Sequence, residues 1–133
     1  MRCMLDTNTC IYLIKRRPPA VLTRLRTATE SGVCLSSITV AELEYGVKKS
    51  SQVEQNAVSL VRFLVGFEIA PFDEAAARHY GEIRAALEVR GQPIGNMDLL
   101  IAAHARALDL VLVTNNEREF RRIDGLSIEN WVA

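Results

Sequence analysis

Short apolar runs alternate along the chain with longer segments in which apolar residues recur at helical spacing. Buried strands are predicted at Arg2–Leu5, Val33–Ser37, Phe67–Phe72 and Leu110–Thr114, with a weaker fifth at Leu126–Ile128. Alternating strands and helices are typical of a mostly parallel sheet covered on both faces. We therefore predict a three-layer α/β/α fold with four to five strands, in which the first strand is central.

Helices are predicted between these strands, at about 7–16, 19–31, 39–49, 53–65, 74–90 and 96–107. Pro18 and Pro19 stop the first helix, and Asp73 is placed to cap the fifth. Gly32 and Gly91 stand where the second and fifth should end. We find no repeat, low-complexity tract or linker, so residues 1–133 are expected to form a single domain.

Composition narrows the class of protein. No apolar stretch approaches 18 residues, and no charged segment followed by a long apolar one opens the chain, so we expect a cytoplasmic protein without a membrane span. The three cysteines are odd in number and lack CxxC spacing, which indicates packed, reduced thiols. Sixteen basic residues balance sixteen acidic ones, and this counts mildly against nucleic-acid binding. The basic residues are clumped, however, as at Lys15–Arg17 and Arg118–Arg122.

Four acidic residues stand at or near the ends of predicted strands or in the first turns of the helices that follow: Asp6, Glu42, Asp98 and Glu119. The carboxyl ends of parallel strands meet at one edge of the sheet, where open α/β sheets place their sites. Carboxylates gathered there repel one another unless a hard divalent cation holds them together, and Mg²⁺ is bound in this way. The pattern predicts a metal-dependent, phosphodiester-cleaving site.

Each acid also has an ordinary structural explanation. Asp6 suits the N-cap of the following helix, and Glu42 lies three residues after Thr39, the spacing of a capping box. Asp98 in a first helical turn interacts favourably with the helix dipole, and Glu119 resembles a common surface acid. A separate structural explanation is then needed for each of four acids at the same sheet edge. The joint placement of the acids therefore favours a site.

Neutral polar groups follow the fourth strand at Thr114, Asn115 and Asn116. They are placed to orient a water or a carboxylate, although turn chemistry alone explains them too. His79 and His104 are interpreted as packed or capping side chains rather than ligands. No nucleophile motif or phosphate-binding loop is present, which favours attack by an activated water.

Two other functions fit the sequence less well. A phosphatase with an aspartyl nucleophile requires a second Asp two residues beyond Asp6, where Asn8 stands. A non-catalytic, receiver-like module requires an acid cluster after the first strand and a lysine after a later one. Asn115 and Asn116 follow the fourth strand instead.

Four ordered segments resemble the PIN-domain ribonucleases, and more closely the VapC toxins of bacterial toxin–antitoxin pairs. They are Asp-Thr-Asn at 6–8, Ser-Ser-Ile-Thr-Val-Ala-Glu-Leu at 36–43, Gly-Asn-Met-Asp-Leu-Leu-Ile-Ala-Ala-His at 95–104, and Val-Thr-Asn-Asn-Glu-Arg-Glu-Phe at 113–120. The resemblance spans essentially the whole chain. It implies that Asp6, Glu42 and Asp98 are metal-binding acids and that Thr114 is the small hydroxyl residue after the fourth strand.

The chain departs from the family pattern at one of these positions. Many PIN domains carry Asp where this chain has Asn116, and in the toxin branch an acid just before the Phe serves instead, here Glu119. Either residue therefore remains a candidate for the fourth position of the metal site. Asn8, Thr114 and Asn116 are expected to orient substrate or water.

The resemblance also implies an activity and partners. The expected enzyme is a Mg²⁺- or Mn²⁺-dependent endoribonuclease in which Glu42 or Glu119 accepts a proton from the attacking water. The opening segment and the Pro93–Asp98 stretch look most like the branch that cuts the anticodon loop of initiator tRNA. A cognate antitoxin is expected to place an arginine in the acidic cleft. A homodimer is expected through an apolar group in and after the fourth helix: Val58, Val61, Phe63, Leu64 and Phe67.

Overall fold

A computed structural model describes residues 2–132, in which five parallel strands form one sheet. The strands are β1 (Cys3–Leu5), β2 (Val33–Ser36), β3 (Glu68–Ala70), β4 (Val111–Val113) and β5 (Ile128–Glu129). They lie in the order β3-β2-β1-β4-β5, and every neighbouring pair is parallel. The predicted fold class is therefore confirmed, and the first strand is central as predicted.

Helices connect the strands. They are α1 (Thr7–Lys15), α2 (Pro19–Ala28), α3 (Ser37–Lys48), α4 (Val53–Leu64), α5 (Glu74–Val89), α6 (Asn96–Ala107) and α7 (Glu117–Phe120). Asp73 caps α5 as predicted, accepting a 3.0 Å hydrogen bond from the amide of Ala76. The four-residue α7 was not predicted, because an element this short shows no helical period in the sequence.

Several predicted boundaries are wrong for identifiable reasons. The segment after α2 tightens into a 3-10 turn at Thr29–Ser31, which ends at Gly32 with a φ of 93°. Strand β3 stops before Pro71, which has no backbone N–H to continue the ladder. Helix α3 begins two residues earlier than predicted, since Ser36 rather than Thr39 is its N-cap. The fifth strand lies at Ile128–Glu129 instead of 126–128.

Alternate residues of the central strand face opposite layers. Met4 packs in a core with α5 and α6, whereas Cys3 and Leu5 pack in a second core with α1, α3 and α4. The neighbouring strands follow the same alternation, with Cys34 in the first core and Leu35 in the second. Both faces of the sheet are thus covered, which gives the three layers.

The strand register aligns the residues that leave the sheet. Leu5 is paired with Leu35 on one side and with Val113 on the other. Asp6, the residue after Leu5, therefore stands level with Ser36 and Thr114. The carboxyl edge of the three central strands is where the polar side chains of the predicted site gather.

The sequence predicts packed, reduced cysteines and no membrane span. Cys3, Cys10 and Cys34 are buried and free, and burial is the main cause that raises the pKa of each thiol. None of the helices within residues 2–132 combines the length and apolarity needed to cross a bilayer.

Candidate active site

Asp6 is a buried acid at the centre of the sheet edge. It is only 3% exposed, and its Oδ1 accepts a 2.8 Å hydrogen bond from the amide of Thr9, so it does cap α1. Burial raises the pKa of the Asp6 carboxyl, while hydrogen bonds from Thr114 and Thr9 act in the opposite direction. The capping explanation is thus correct but incomplete, because a cap needs no burial of its charge.

The position of Asp6 is fixed by its neighbours on β4. Its amide donates to the Val113 carbonyl at 3.0 Å, and the Thr9 hydroxyl donates to the same oxygen at 3.2 Å. Both bonds lie in the interior, where they hold the first turn of α1 against the end of β4. The carboxylate therefore has little freedom to move away from this edge.

Asp98 connects the four acids electrostatically. It is the third residue of α6 and half-buried, and its pKa is raised to about 6, first by burial and then by the charges of Asp6, Glu42 and Glu119. A helix N-terminus by itself stabilises a carboxylate, so burial and like-charge repulsion outweigh the dipole here. The charges of the other three sequence-predicted acids thus all act on Asp98, and their joint role in a metal site stays a prediction.

Glu42 is not part of a capping box. Its Oε1 accepts a 2.5 Å hydrogen bond from the hydroxyl of Thr7 on α1. The cap of α3 is made by Ser36, whose Oγ accepts from the amide of Ile38 at 3.0 Å, and Thr39 lies inside the helix. The structural explanation of Glu42 is therefore wrong, and its carboxylate is turned toward α1.

Glu119 is oriented by Asn116, the other candidate for the fourth position of the metal site. The side-chain amide of Asn116 donates to Glu119 Oε2 at 2.9 Å, and the backbone amide of Asn116 donates to Thr114 Oγ1 at 3.0 Å. Asn116 therefore positions a carboxylate, and Thr114 links Asn116 to Asp6. Asn8 is exposed in the first turn of α1, and its orienting role remains a prediction.

A buried pair behind the site supports the helix that carries Glu42. His104 is 1% exposed, and its Nδ1 lies 2.8 Å from the hydroxyl of Ser36, the N-cap of α3. Its ring also contacts Phe72 edge-on, and burial lowers its pKa. The interpretation of His104 as a packed side chain is thus supported by its surroundings.

Sequence reasoning missed Thr7, Thr9 and Ser36 as supporting residues. The two threonines follow Asp6 at positions 7 and 9, and this closeness to a candidate acid is the sequence signal that points to them.

The donor set suits a hard divalent cation, because it consists of carboxylate oxygens with neutral oxygens and amides around them. Within residues 2–132, no three His, Cys, Asp or Glu side chains already stand close enough together to ligate one ion. Gathering the acids on one ion therefore requires movement of the longer side chains, Glu42 and Glu119, which accept hydrogen bonds from Thr7 and Asn116 in this structure. Burial of Asp6 and the raised pKa of Asp98 fit a site that is electrostatically incomplete without a cation.

Asp98→Asn should stabilise the metal-free protein at pH 7.5, by roughly 3 °C in melting temperature. The folded-state pKa of Asp98, about 6, exceeds the usual value for Asp, so this group favours the fold only while protonated. The parent should consequently gain stability as pH falls from 7.5 to 5.5 without metal, and the variant should lose most of that gain. Differential scanning calorimetry in EDTA across this range measures both effects.

Asp109→Asn is the matched control, because Asp109 is exposed, and its left-handed backbone (φ 56°) accommodates Asn. This variant should keep the parent's pH dependence. Equal pH dependence in the parent and in Asp98→Asn would contradict the shared electrostatic site.

Comparison with known proteins assigns the family. A model of the PIN domain matches residues 3–126. The tRNA(fMet)-specific endonuclease VapC of Shigella flexneri is 44% identical over 131 residues, 98% of each chain. Ribonuclease VapC2 of Rickettsia felis is 48% identical over 129 residues, 96% of each chain. The crystal structure of VapBC2 from Rickettsia felis, bound to a DNA fragment from their promoter, superposes with a TM-score of 0.94 at 46% identity, covering 98% of this chain and 99% of that one.

These matches span the sheet, its helices and all four acids. The chain belongs to the PIN-domain family and, within it, to the VapC ribonucleases. PIN-domain nucleases are in general dependent on divalent metal ions, which agrees with the oxygen-rich site at the sheet edge.

Proposed function

We propose that this protein is the toxin of a toxin–antitoxin pair and acts in the cytoplasm as a Mg²⁺-dependent endoribonuclease that cleaves initiator tRNA in its anticodon loop, inhibiting translation. The observation that carries the proposal is the position of Asp98, whose pKa is raised to about 6 by burial and by the charges of the other three acids. The name of the Shigella relative, a tRNA(fMet)-specific endonuclease, supports the substrate. Mn²⁺ is expected to substitute for Mg²⁺, because both accept carboxylate and water ligands.

The residues divide by reach and burial. Asp6 and Asp98 have short side chains on fixed backbone, so we assign them to holding the ion, with Glu42 and Glu119 completing its shell. When bound, the ion polarises the scissile phosphate and makes the attacking water more acidic. Glu42 or Glu119 accepts the proton from that water as general base, since both carry longer side chains at the rim of the site.

Loop RNA suits this site, because splayed nucleotides expose the phosphate between them to a shallow edge. Two exposed basic residues lie next to the acids in sequence or space. Arg118 precedes Glu119, and Lys15 lines a groove of about 330 Å³ that also contains Glu42. We assign these two cations to phosphate contacts beside the cleavage point. They explain how a chain of zero net charge binds RNA locally.

The same groove is also a candidate binding surface for a protein partner. Its walls are apolar side chains of α1, α3 and α4, among them Ile11, Ile14 and Leu43, and it leads to Glu42. We assign it to a cognate antitoxin, whose arginine would pair with Asp6, Asp98 or Glu119 and displace the ion. The solved VapBC2 complex of Rickettsia felis, at 46% identity, supports an antitoxin as the partner.

A homodimer is part of the proposal. Of the five apolar residues named from the sequence, Val58 is 51% exposed and Val61 is 63% exposed. Phe63, Leu64 and Phe67 are half-buried and pack against the core on the α1 side of the sheet. The contact surface is therefore assigned to the outer face of α4 carrying the two valines, rather than to the whole group.

Purified protein incubated with total bacterial RNA and Mg²⁺ should cut initiator tRNA once, in the anticodon loop, and EDTA should abolish the cut. Primer extension or end-sequencing of the fragments locates the cleavage. Elongator methionine tRNA serves as the matched substrate, because it carries the same anticodon on a different body, and it should remain intact. Cleavage unaffected by EDTA would overturn the metal site, and cleavage of other RNAs instead would overturn only the substrate.

A further inference from the structure

Thr39 carries an unexplained buried hydroxyl. The side chain is completely buried, and among residues 2–132 its Oγ1 is the one buried side-chain oxygen or nitrogen without a hydrogen-bond partner. A buried hydroxyl without a hydrogen-bond partner destabilises the fold. Valine has the same shape and would avoid this cost, so the presence of threonine here suggests a role for its hydroxyl. A threonine inside a helix usually donates to the backbone carbonyl four residues earlier. Thr39 is only the third residue of α3, so that carbonyl belongs to Leu35 of β2 and is not part of the helix.

Glu42 follows Thr39 by three residues in α3, which is slightly less than one helical turn. Residues three apart in a helix lie on the same face, and long side chains lean toward the helix N-terminus. These preferences put Thr39 within reach of the Glu42 carboxylate when that side chain turns. One oxygen of its carboxylate, Oε1, takes the hydrogen bond from Thr7, which leaves the second oxygen, Oε2, available.

We propose that Thr39 is a positioning residue of the metal site, whose hydroxyl donates to Glu42 Oε2 when the Glu42 carboxylate turns to ligate a divalent ion. The carboxylate is then held between two hydroxyls, Thr7 from α1 and Thr39 from its own helix. Thr39 therefore lacks a hydrogen bond in the metal-free protein and gains one when the ion binds. The unpaired hydroxyl lowers the free energy of unfolding of the metal-free protein, and its pairing raises the affinity for the ion. This inference rests on the proposed metal site.

Thr39→Val tests it, because valine keeps the shape and removes only the hydroxyl. The full-length metal-free variant should melt roughly 3 °C above the parent, since a buried unpaired polar group has been removed. Its Mn²⁺ dissociation constant, measured by calorimetric titration, should rise about tenfold, as for loss of a supporting hydrogen bond to a ligand. Thr39→Ser should restore the parent's affinity. In a Glu42→Gln background, Thr39→Val should cause no further loss of affinity.

Thr27→Val is the control, because it makes the same exchange on another helix. The exposed Thr27 hydroxyl donates to the Thr23 carbonyl within α2. The Mn²⁺ affinity of this variant should equal the parent's. A raised melting temperature with unchanged affinity in Thr39→Val would overturn the inference while leaving the metal site standing. Failure of the parent itself to bind Mn²⁺ would overturn both. Should the valine variant not fold, Thr39→Ala against Thr39→Ser makes the same comparison of affinities.

Discussion

Asp6→Asn is expected to lower RNA cleavage by at least about 10³-fold. Asn keeps the shape of Asp and can still accept the 2.8 Å bond from the Thr9 amide, so α1 should remain capped. What it removes is a buried charge at the centre of the sheet edge, which the cation requires. Cleavage rates are measured on initiator tRNA, and circular dichroism with the melting temperature shows whether the fold is kept.

Asp73→Asn is the matched control, because Asp73 accepts the same kind of capping bond, from the Ala76 amide at 3.0 Å on α5. Asp73 is not among the charges that raise the pKa of Asp98. It should cleave at the parent's rate. If Asp6→Asn cleaves as fast as Asp73→Asn, Asp6 is a helix cap and nothing more.

Expression of the chain alone in a bacterium is expected to stop growth and reduce colony formation by several orders of magnitude. The physical reason is that loss of initiator tRNA blocks every round of translation initiation. Co-expression of the cognate antitoxin should restore growth, since an arginine in the cleft would occupy the acids that hold the ion. Colony counts and blots of initiator tRNA from induced cells measure the two effects.

The Asp98→Asn variant is the control for toxicity, because it alters the acid on which the other three converge. Cells that express it should grow and keep their initiator tRNA. Normal growth with soluble, intact parent protein and no antitoxin present would exclude the toxin function, although the nuclease could still be demonstrated with purified protein.

The sequence by itself determined the fold class and the order of elements, because both depend on local patterns. Alternating apolar runs and helical periods marked β1 to β4, and Asp73 marked the start of α5. The same periodicity placed Asp6 and Asp98 at strand ends or first helical turns, and parallel strands share their carboxyl edge. The elements without such a signal, α7 and the exact span of β5, were missed or misplaced, since two to four residues show no period.

Only the tertiary structure decided which hydrogen-bond partner each of these side chains has. The spacing of Thr39 and Glu42 fits a capping box equally well, and what excludes it is that Ser36 caps α3 and Thr39 lies inside the helix. The Glu42 carboxylate instead accepts from the Thr7 hydroxyl, 35 positions away. Asn116 and Glu119, the two candidates for the fourth position, are likewise joined by one 2.9 Å hydrogen bond that the sequence does not reveal. Local sequence determines where a side chain leaves the backbone, whereas burial and contacts between distant segments determine its partner and its charge.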